Sequence, residues 1–360
     1  MSGFLGLIVG GGGGGTSPVT PSQYISMSGS NAGNRWKVYN WDSSSGIGSS
    51  FTSPVVSQII RTNAFVSDNS NISIALSIPP WINVWAWSSL GFGTKYADPS
   101  SLLNPNGNGM ASYVWTNNVD ALLTINYDNA TGFPQAWAWN TSSGFGTKYS
   151  NGSVLGFAEG ISLNGDNTQV AINSISTIPF IHLYPWSSST GFGTRFANPS
   201  FSPNPQATAG WQKVSFNKVT NDLAVSATSA YIWACRVTSA GFGTAYSSPS
   251  TSLSSQTQNL LFSPDGASIA TVNIGSPSIN AYSWGAGFGT KYSTPAGLTM
   301  PNQIALDWAS TTNGIASGSP SYSPYVDVYR WSSSGFGAKY TLPSGTPPSV
   351  SSVSFSNKAR

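Results

Sequence analysis

One histidine, one cysteine and one glutamate, His182, Cys235 and Glu159, are a thin stock for acid–base or nucleophilic work in a chain of 360 residues. A protein metal site takes three or four His, Cys or carboxylate ligands. A lone histidine with no second histidine and no cysteine partner cannot build one, and His182, inside the strand-like run from Phe180 to Tyr184, reads as structural. Glycoside hydrolysis needs two carboxyl groups about 5 to 10 Å apart. Here Asp68, Asp166, Asp222 and Asp265 fall near the same hairpin of successive segments, where Asx-type turns account for them. The recurrent Gly-Phe-Gly is no phosphate loop, because a phenylalanine separates its glycines and a strand, not a helix, follows. The residue types therefore predict no catalytic group, no metal and no cofactor, and the chain is expected not to be an enzyme.

Two recurring patterns could still bind something. The first is an aromatic pair spaced by two: Tyr39/Trp41, Trp85/Trp87, Trp137/Trp139, Tyr184/Trp186, Trp233/Cys235, Tyr282/Trp284 and Tyr329/Trp331. That spacing puts both rings on one face of a strand. They would stack on sugars if exposed, or fill the space between packed sheets if buried, and burial is the expectation. The second is a base at Lys95, Lys148, Arg195, Lys291 and Lys339, replaced by Ser50 and Ala245 in two copies. It would make a basic ring for an acidic partner, or guard exposed strand edges against aggregation, and the broken ring favours the guard.

Both patterns belong to one repeat. Gly-Phe-Gly-Thr-Lys-Tyr and its variants begin at Gly46, Gly91, Gly144, Gly191, Gly241, Gly287 and Gly335. Periods of roughly 40 to 50 residues are those of propeller blades with four strands each. A Ser/Thr/Asn-rich turn joins the aromatic pair to Gly-Phe-Gly, so this half of the unit reads strand, turn, strand. Two weaker strands lie upstream, clearest where Pro264-Asp265-Gly266 turns between Leu260–Ser263 and Ser268–Val272. The second strand of such pairs carries Ala75, Ala171, Ala224 and Ala270, small residues that would suit crowding toward an axis. The predicted fold is all-β: a seven-bladed β-propeller, four antiparallel strands per blade. The tail Val350–Phe355 resembles a first strand and Tyr24–Met27 a second, so the C-terminal strand should close the ring on the N-terminal blade.

The repeat resembles the WD-like and YVTN-like propellers across roughly Tyr24 to Arg360. It lacks their Gly-His pair, and the Asp after Trp survives only as Asp42. The resemblance therefore implies an architecture and no fixed partner.

Composition narrows the partners. Charged residues are 7% of the chain and the net charge is +3, too weak and scattered for nucleic acid. No apolar run approaches the ~20 residues of a membrane helix. A single cysteine excludes an intrachain disulfide. The division expected is residues 1–21 as an extended Gly-rich N-terminal arm and 22–360 as the propeller. The arm carries Phe4, Leu5, Leu7, Ile8 and Val9 before six glycines, and it reads as a tail, not a secretion signal. Ordering glycines is costly, so those five side chains are the expected partner-binding residues, docking in a neighbouring subunit. A Gly-rich arm on a low-charge β domain resembles tailed-phage virion decoration, adaptor and fibre proteins. The expected role is thus a structural virion component bound to other assembly proteins through its arm. The alternative is a lectin-like propeller that binds glycan at a cell surface or outside the cell.

Overall fold

The computed structural model describes residues 23–29, 36–100, 109–126, 132–153, 155–174, 180–199, 213–226, 232–250, 253, 255–298, 300–311, 313–345 and 349–356. Among these there are strands and no helix, assembled as seven four-stranded antiparallel sheets. The expected propeller is therefore observed. In chain order each blade runs inner, second, third and outer strand, as in Ile60–Phe65, Asn71–Leu76, Ile82–Ser88 and Gly91–Lys95 of blade 2. Blade 1 is composite: Ser352–Phe355 is its inner strand, paired antiparallel with Gln23–Ser28 so that Phe355 faces Ile25 and Ser352 faces Ser28. Hydrogen bonds from Ser351 N to Ser28 O and from Ser356 N to Tyr24 O extend the ladder at both ends. The C-terminus closes the ring as predicted.

Burial follows from the geometry. Second strands are covered on both faces by neighbouring blades, and Asn71–Leu76 is buried at every position. The aromatic pairs fill the seams. Trp87 is 5% exposed and meets four rings edge-on: Phe92 and Phe65 of its own blade at 4.9 and 5.5 Å, Phe51 and Tyr24 of blade 1 at 5.0 and 5.1 Å. Such contacts are each worth about 0.5–1.5 kcal/mol beyond the area they bury. Trp139, Trp284 and Trp331 repeat the arrangement. Trp41 against Tyr340 and Phe355 seals the closure.

The motif Gly-Phe-Gly-Thr-Lys-Tyr spans two blades. Its first glycine has φ between +84 and +121° in all seven copies, a region that strains any other residue. The closing aromatic of the preceding blade packs on it: a Cβ at Gly144 would stand 3.1 Å from Tyr96 Cδ1, and Tyr96 donates its hydroxyl to Thr141 O at 2.5 Å. Tyr340 does the same to Gly46 and Ser43 O across the closure.

Two expectations need correction, and the recurrent base has a further contact. In blade 5, Cys235 opposes Ala245 and Val237 opposes Phe242. The pair equivalent to Tyr39/Trp41 is therefore Cys235/Val237, and Trp233 lies two residues earlier. That seam has no tryptophan box, and an aromatic out of phase looked like the missing partner. The alanines of the second strands sit one step out from the axis. Crowding falls instead on Ser162 and Ser215 of the inner strands, whose Oγ atoms accept from Phe216 N and Phe262 N of the next blade at 3.0 and 3.3 Å. The recurrent base folds back over its own third strand: Lys339 pairs with buried Asp327, Arg195 Nη1 meets His182 Nδ1 at 2.8 Å, and Lys148 covers the Trp137 ring at 5.4 Å. Lys95 alone keeps a surface pairing, with Asp98 at 2.9 Å.

Candidate active site at the wide mouth of the channel

Seven inner strands surround a central channel, and its two ends differ. Toward the C-terminal ends of these strands it narrows to a polar cavity of about 250 Å³ that reaches Asn117, Lys218 and Pro264. There the first hairpins of different blades tie one another: Ser67 Oγ donates to Asn117 O, Asn117 Nδ2 to Gly165 O, and, two blades apart, Lys218 Nζ to Asn117 Oδ1, at 2.7 to 2.9 Å. At the strands' N-terminal ends it widens into a cavity of about 650 Å³.

The wide mouth is built by irregular backbone. In blades 2, 3, 4 and 6 the inner strand carries one residue too many against its neighbour, between Ile60 and Thr62, Met110 and Ser112, Ala158 and Gly160, and Thr257 and Asn259. Such bulges re-aim a side chain. The extra residues are Arg61, Ala111, Glu159 and Gln258, and all four line the mouth. Blade 5 adds Lys213, whose backbone is tied on both sides to Ser226. Its Nζ donates to Glu159 O at 2.9 Å. Gly160 permits the approach, since a Cβ there would lie 3.0 Å from Lys213 Cα. Burial pushes the Lys213 ammonium below its ordinary range, and Glu159 pulls it partly back. Gln256 brings an amide nitrogen that is buried without a protein acceptor. Further down, Asp307 Oδ2 accepts from Phe355 N at 2.7 Å, fixing the last blade to the first.

The residues weighed from the sequence lie elsewhere. His182 is buried on the third strand of blade 4, and burial, with Arg195 beside it, lowers its pKa to about 4. Asp68 accepts from Ser70 N and Ser70 Oγ, the expected turn. Asp222 is no turn residue: it is 1% exposed and takes hydrogen bonds from Tyr246 Oη, Trp284 Nε1 and Thr220 Oγ1, with Arg236 at 3.6 Å. Cys235 is buried, and burial raises its thiol pKa. The aromatic pairs are in the seams, which removes the main support for sugar stacking. Phe4, Leu5, Leu7, Ile8 and Val9 lie outside the described residues. No group of three or more His, Cys, Asp or Glu side chains able to hold a metal occurs among the described residues.

No family model matches the chain, and no curated protein does. Solved structures do. One, called a putative 6-phosphogluconolactonase from Bacteroides fragilis, superimposes with a TM-score of 0.66 at 11% identity, over 94% of this chain and 99% of its own. A second of the same description, from Bacteroides uniformis, gives 0.67 at 12%, over 93% and 100%. At that identity the likeness shows the fold alone. The expectation that the chain is not an enzyme is corrected to this extent: two proteins that share this ring over nearly their whole length carry the name of a hydrolase, so the ring does not exclude one. A residue inventory read along the chain could not bring Arg61, Glu159 and Lys213 together at the mouth. Neither structure is described as a virion protein. No helix among the described residues is long and apolar enough to cross a membrane.

Proposed function

We propose that the wide mouth binds a small anionic sugar lactone and hydrolyses it. The observation that carries this reading is the bulge-built wall, which sets Arg61 and Glu159 on one 650 Å³ cavity. Glu159, buried at the lip, is the base that takes a proton from water as its oxygen attacks the lactone carbonyl. Arg61 meets the anionic group or the developing oxyanion, and Gln256 and Gln258 supply neutral donors. The tetrahedral intermediate then breaks its ring C–O bond, the leaving ring oxygen takes the proton back from Glu159, and a hydroxy acid is released. The names of the two similar structures support this choice of reaction.

The test is a lactonase assay with 6-phosphogluconolactone and unphosphorylated gluconolactone, each against its spontaneous rate. Saturable hydrolysis that Glu159→Gln abolishes in a normally melting protein is expected. A wild-type rate equal to the spontaneous one for both substrates sinks the reading.

The architectural reading from the sequence, a virion component held by its arm, is compatible with a ligand site on the ring. It is supported by the apolar tip and six glycines of residues 4–15 and by the low charge of the chain, 7% Asp, Glu, Lys and Arg.

A further inference from the structure

Lys213 is the titratable group of the mouth to which hydrolysis gives no task. The geometry points to Lys213 as a carbonyl-capturing amine, one that forms an imine with a small α-keto acid drawn into the mouth. This goes beyond the lactonase reading and does not depend on it.

Lys213 lines both cavities, at the neck where the mouth meets the narrow channel. A ligand seated in the mouth therefore has this residue at its floor. The residue is placed rigidly, with Lys213 N donating to Ser226 Oγ at 2.8 Å and its carbonyl accepting from Ser226 N at 3.0 Å. The Nζ rests on Glu159 O. The other titratable or charged groups lining the two cavities are Arg61, Glu159, Tyr113, Lys218 and Asp307. Burial works against the ammonium here, so the neutral, nucleophilic amine is more accessible than at a surface lysine. Arg61 supplies a planar cation for the ligand's carboxylate, which is why a keto acid fits better than a neutral aldehyde.

The chemistry balances without a further reactant. The Nζ lone pair forms a C–N bond while the carbonyl pair moves to oxygen, which takes a proton. The carbinolamine then expels that oxygen as water, leaving the imine. Hydride from an added borohydride reduces the C=N bond to a stable secondary amine, which makes the event visible.

The full chain should be incubated near neutral pH with pyruvate and sodium cyanoborohydride and mapped by peptide mass spectrometry. The reduced adduct is expected on Lys213 in severalfold excess over Lys37, Lys95, Lys148, Lys218, Lys291 and Lys339. Arg61→Gln should lower labelling by pyruvate but not by neutral glyceraldehyde. Glu159→Gln should leave labelling in place, because Lys213 binds the backbone oxygen of that residue, while it stops any lactone hydrolysis. The two readings thus fail separately. Label spread evenly over the lysines, or absent from Lys213 in a protein with the native melting curve, overturns the proposal.

Discussion

The seams between blades and the mouth of the channel are made from the same repeats by opposite means. A seam uses what the copies share: a tryptophan, a phenylalanine, an inner-strand aromatic and the closing ring of the preceding motif, set edge-on at about 5 Å around Trp87, Trp139, Trp284 and Trp331. The mouth uses what the copies do not share: Arg61, Ala111, Glu159 and Gln258 occupy equivalent bulged positions and differ in every blade. Repetition makes the ring stable. Departure from repetition gives one end of it a set of side chains that no other part of the ring repeats.

The severest way to break the comparison is at the closure, where a seam depends on both chain ends. Deleting residues 348–360 removes the inner strand of blade 1, the Phe355 ring against Trp41 and the Asp307 bond to Phe355 N. The ring should open, and the truncated protein should aggregate and lose its cooperative transition. A monomer with an unchanged melting curve contradicts the closure.

Next come single seams. Trp87→Ala should cost about 3–5 kcal/mol in urea denaturation, as large-to-small changes at buried aromatics do. Val237→Ala at the matching place in blade 5 should cost roughly 2 kcal/mol, since that seam has no tryptophan box to lose. Equal costs at the two sites would mean that the aromatic contacts add nothing beyond area.

His182 gives a seam a pH dependence. Its folded pKa of about 4 lies below the ordinary 6.5 of a free imidazole, owing to burial and then to Arg195. Below pH 6.5 the unfolded chain binds a proton that the folded chain refuses, so stability falls as pH drops from 6.5 toward 4. The loss is on the order of 2–3 kcal/mol. His182→Gln should flatten that part of the stability curve measured by urea titration at several pH values, and an unchanged slope would place the histidine outside the acid sensitivity. At the mouth the effect on stability shrinks. Glu159→Gln should shift stability by less than about 1 kcal/mol while it removes hydrolysis, and a large loss of stability would make Glu159 a structural residue.

The difference between the regions also explains what was legible. The six Gly-Phe-Gly motifs, the Gly46-Ile47-Gly48 variant and their aromatic pairs announce the ring because a seam must recur wherever blades meet. The one mis-phased pair, Trp233/Cys235, shows the limit: Trp233 mimicked a partner, and only the pairing of Cys235 with Ala245 shows the phase. The mouth left a fainter trace. Arg61, Glu159 and Gln258 each stand four residues before the residue that anchors the inner strand in its seam, Phe65, Leu163 and Phe262. Aligning the copies on those anchors would have put them at one level of the ring. Because their chemistry differs from blade to blade, no repeat in residue type draws attention to them.

The smallest expected effect belongs to neither region. Residues 2–15 precede the first strand, which begins at Gln23 and pairs along Trp36–Asp42. The seams and the mouth are built from residues within 23–356, so on removal of residues 2–15 the melting curve, lactone hydrolysis and labelling of Lys213 should all stay as they are. What should change is association. Phe4, Leu5, Leu7, Ile8 and Val9 would each contribute about 1.5–3 kcal/mol if fully buried, against an ordering cost of about 1–2 kcal/mol for each of the glycines that follow. The terms are of similar size, so the expectation is that the arm should gain order only where a partner supplies the pocket. Protease should therefore cut the arm quickly in the isolated protein and slowly in an assembly, and the truncated protein should fail to enter its assembly. Incorporation at the normal copy number would leave the arm a passive leader, and the ring's own surfaces would then have to account for any architectural role.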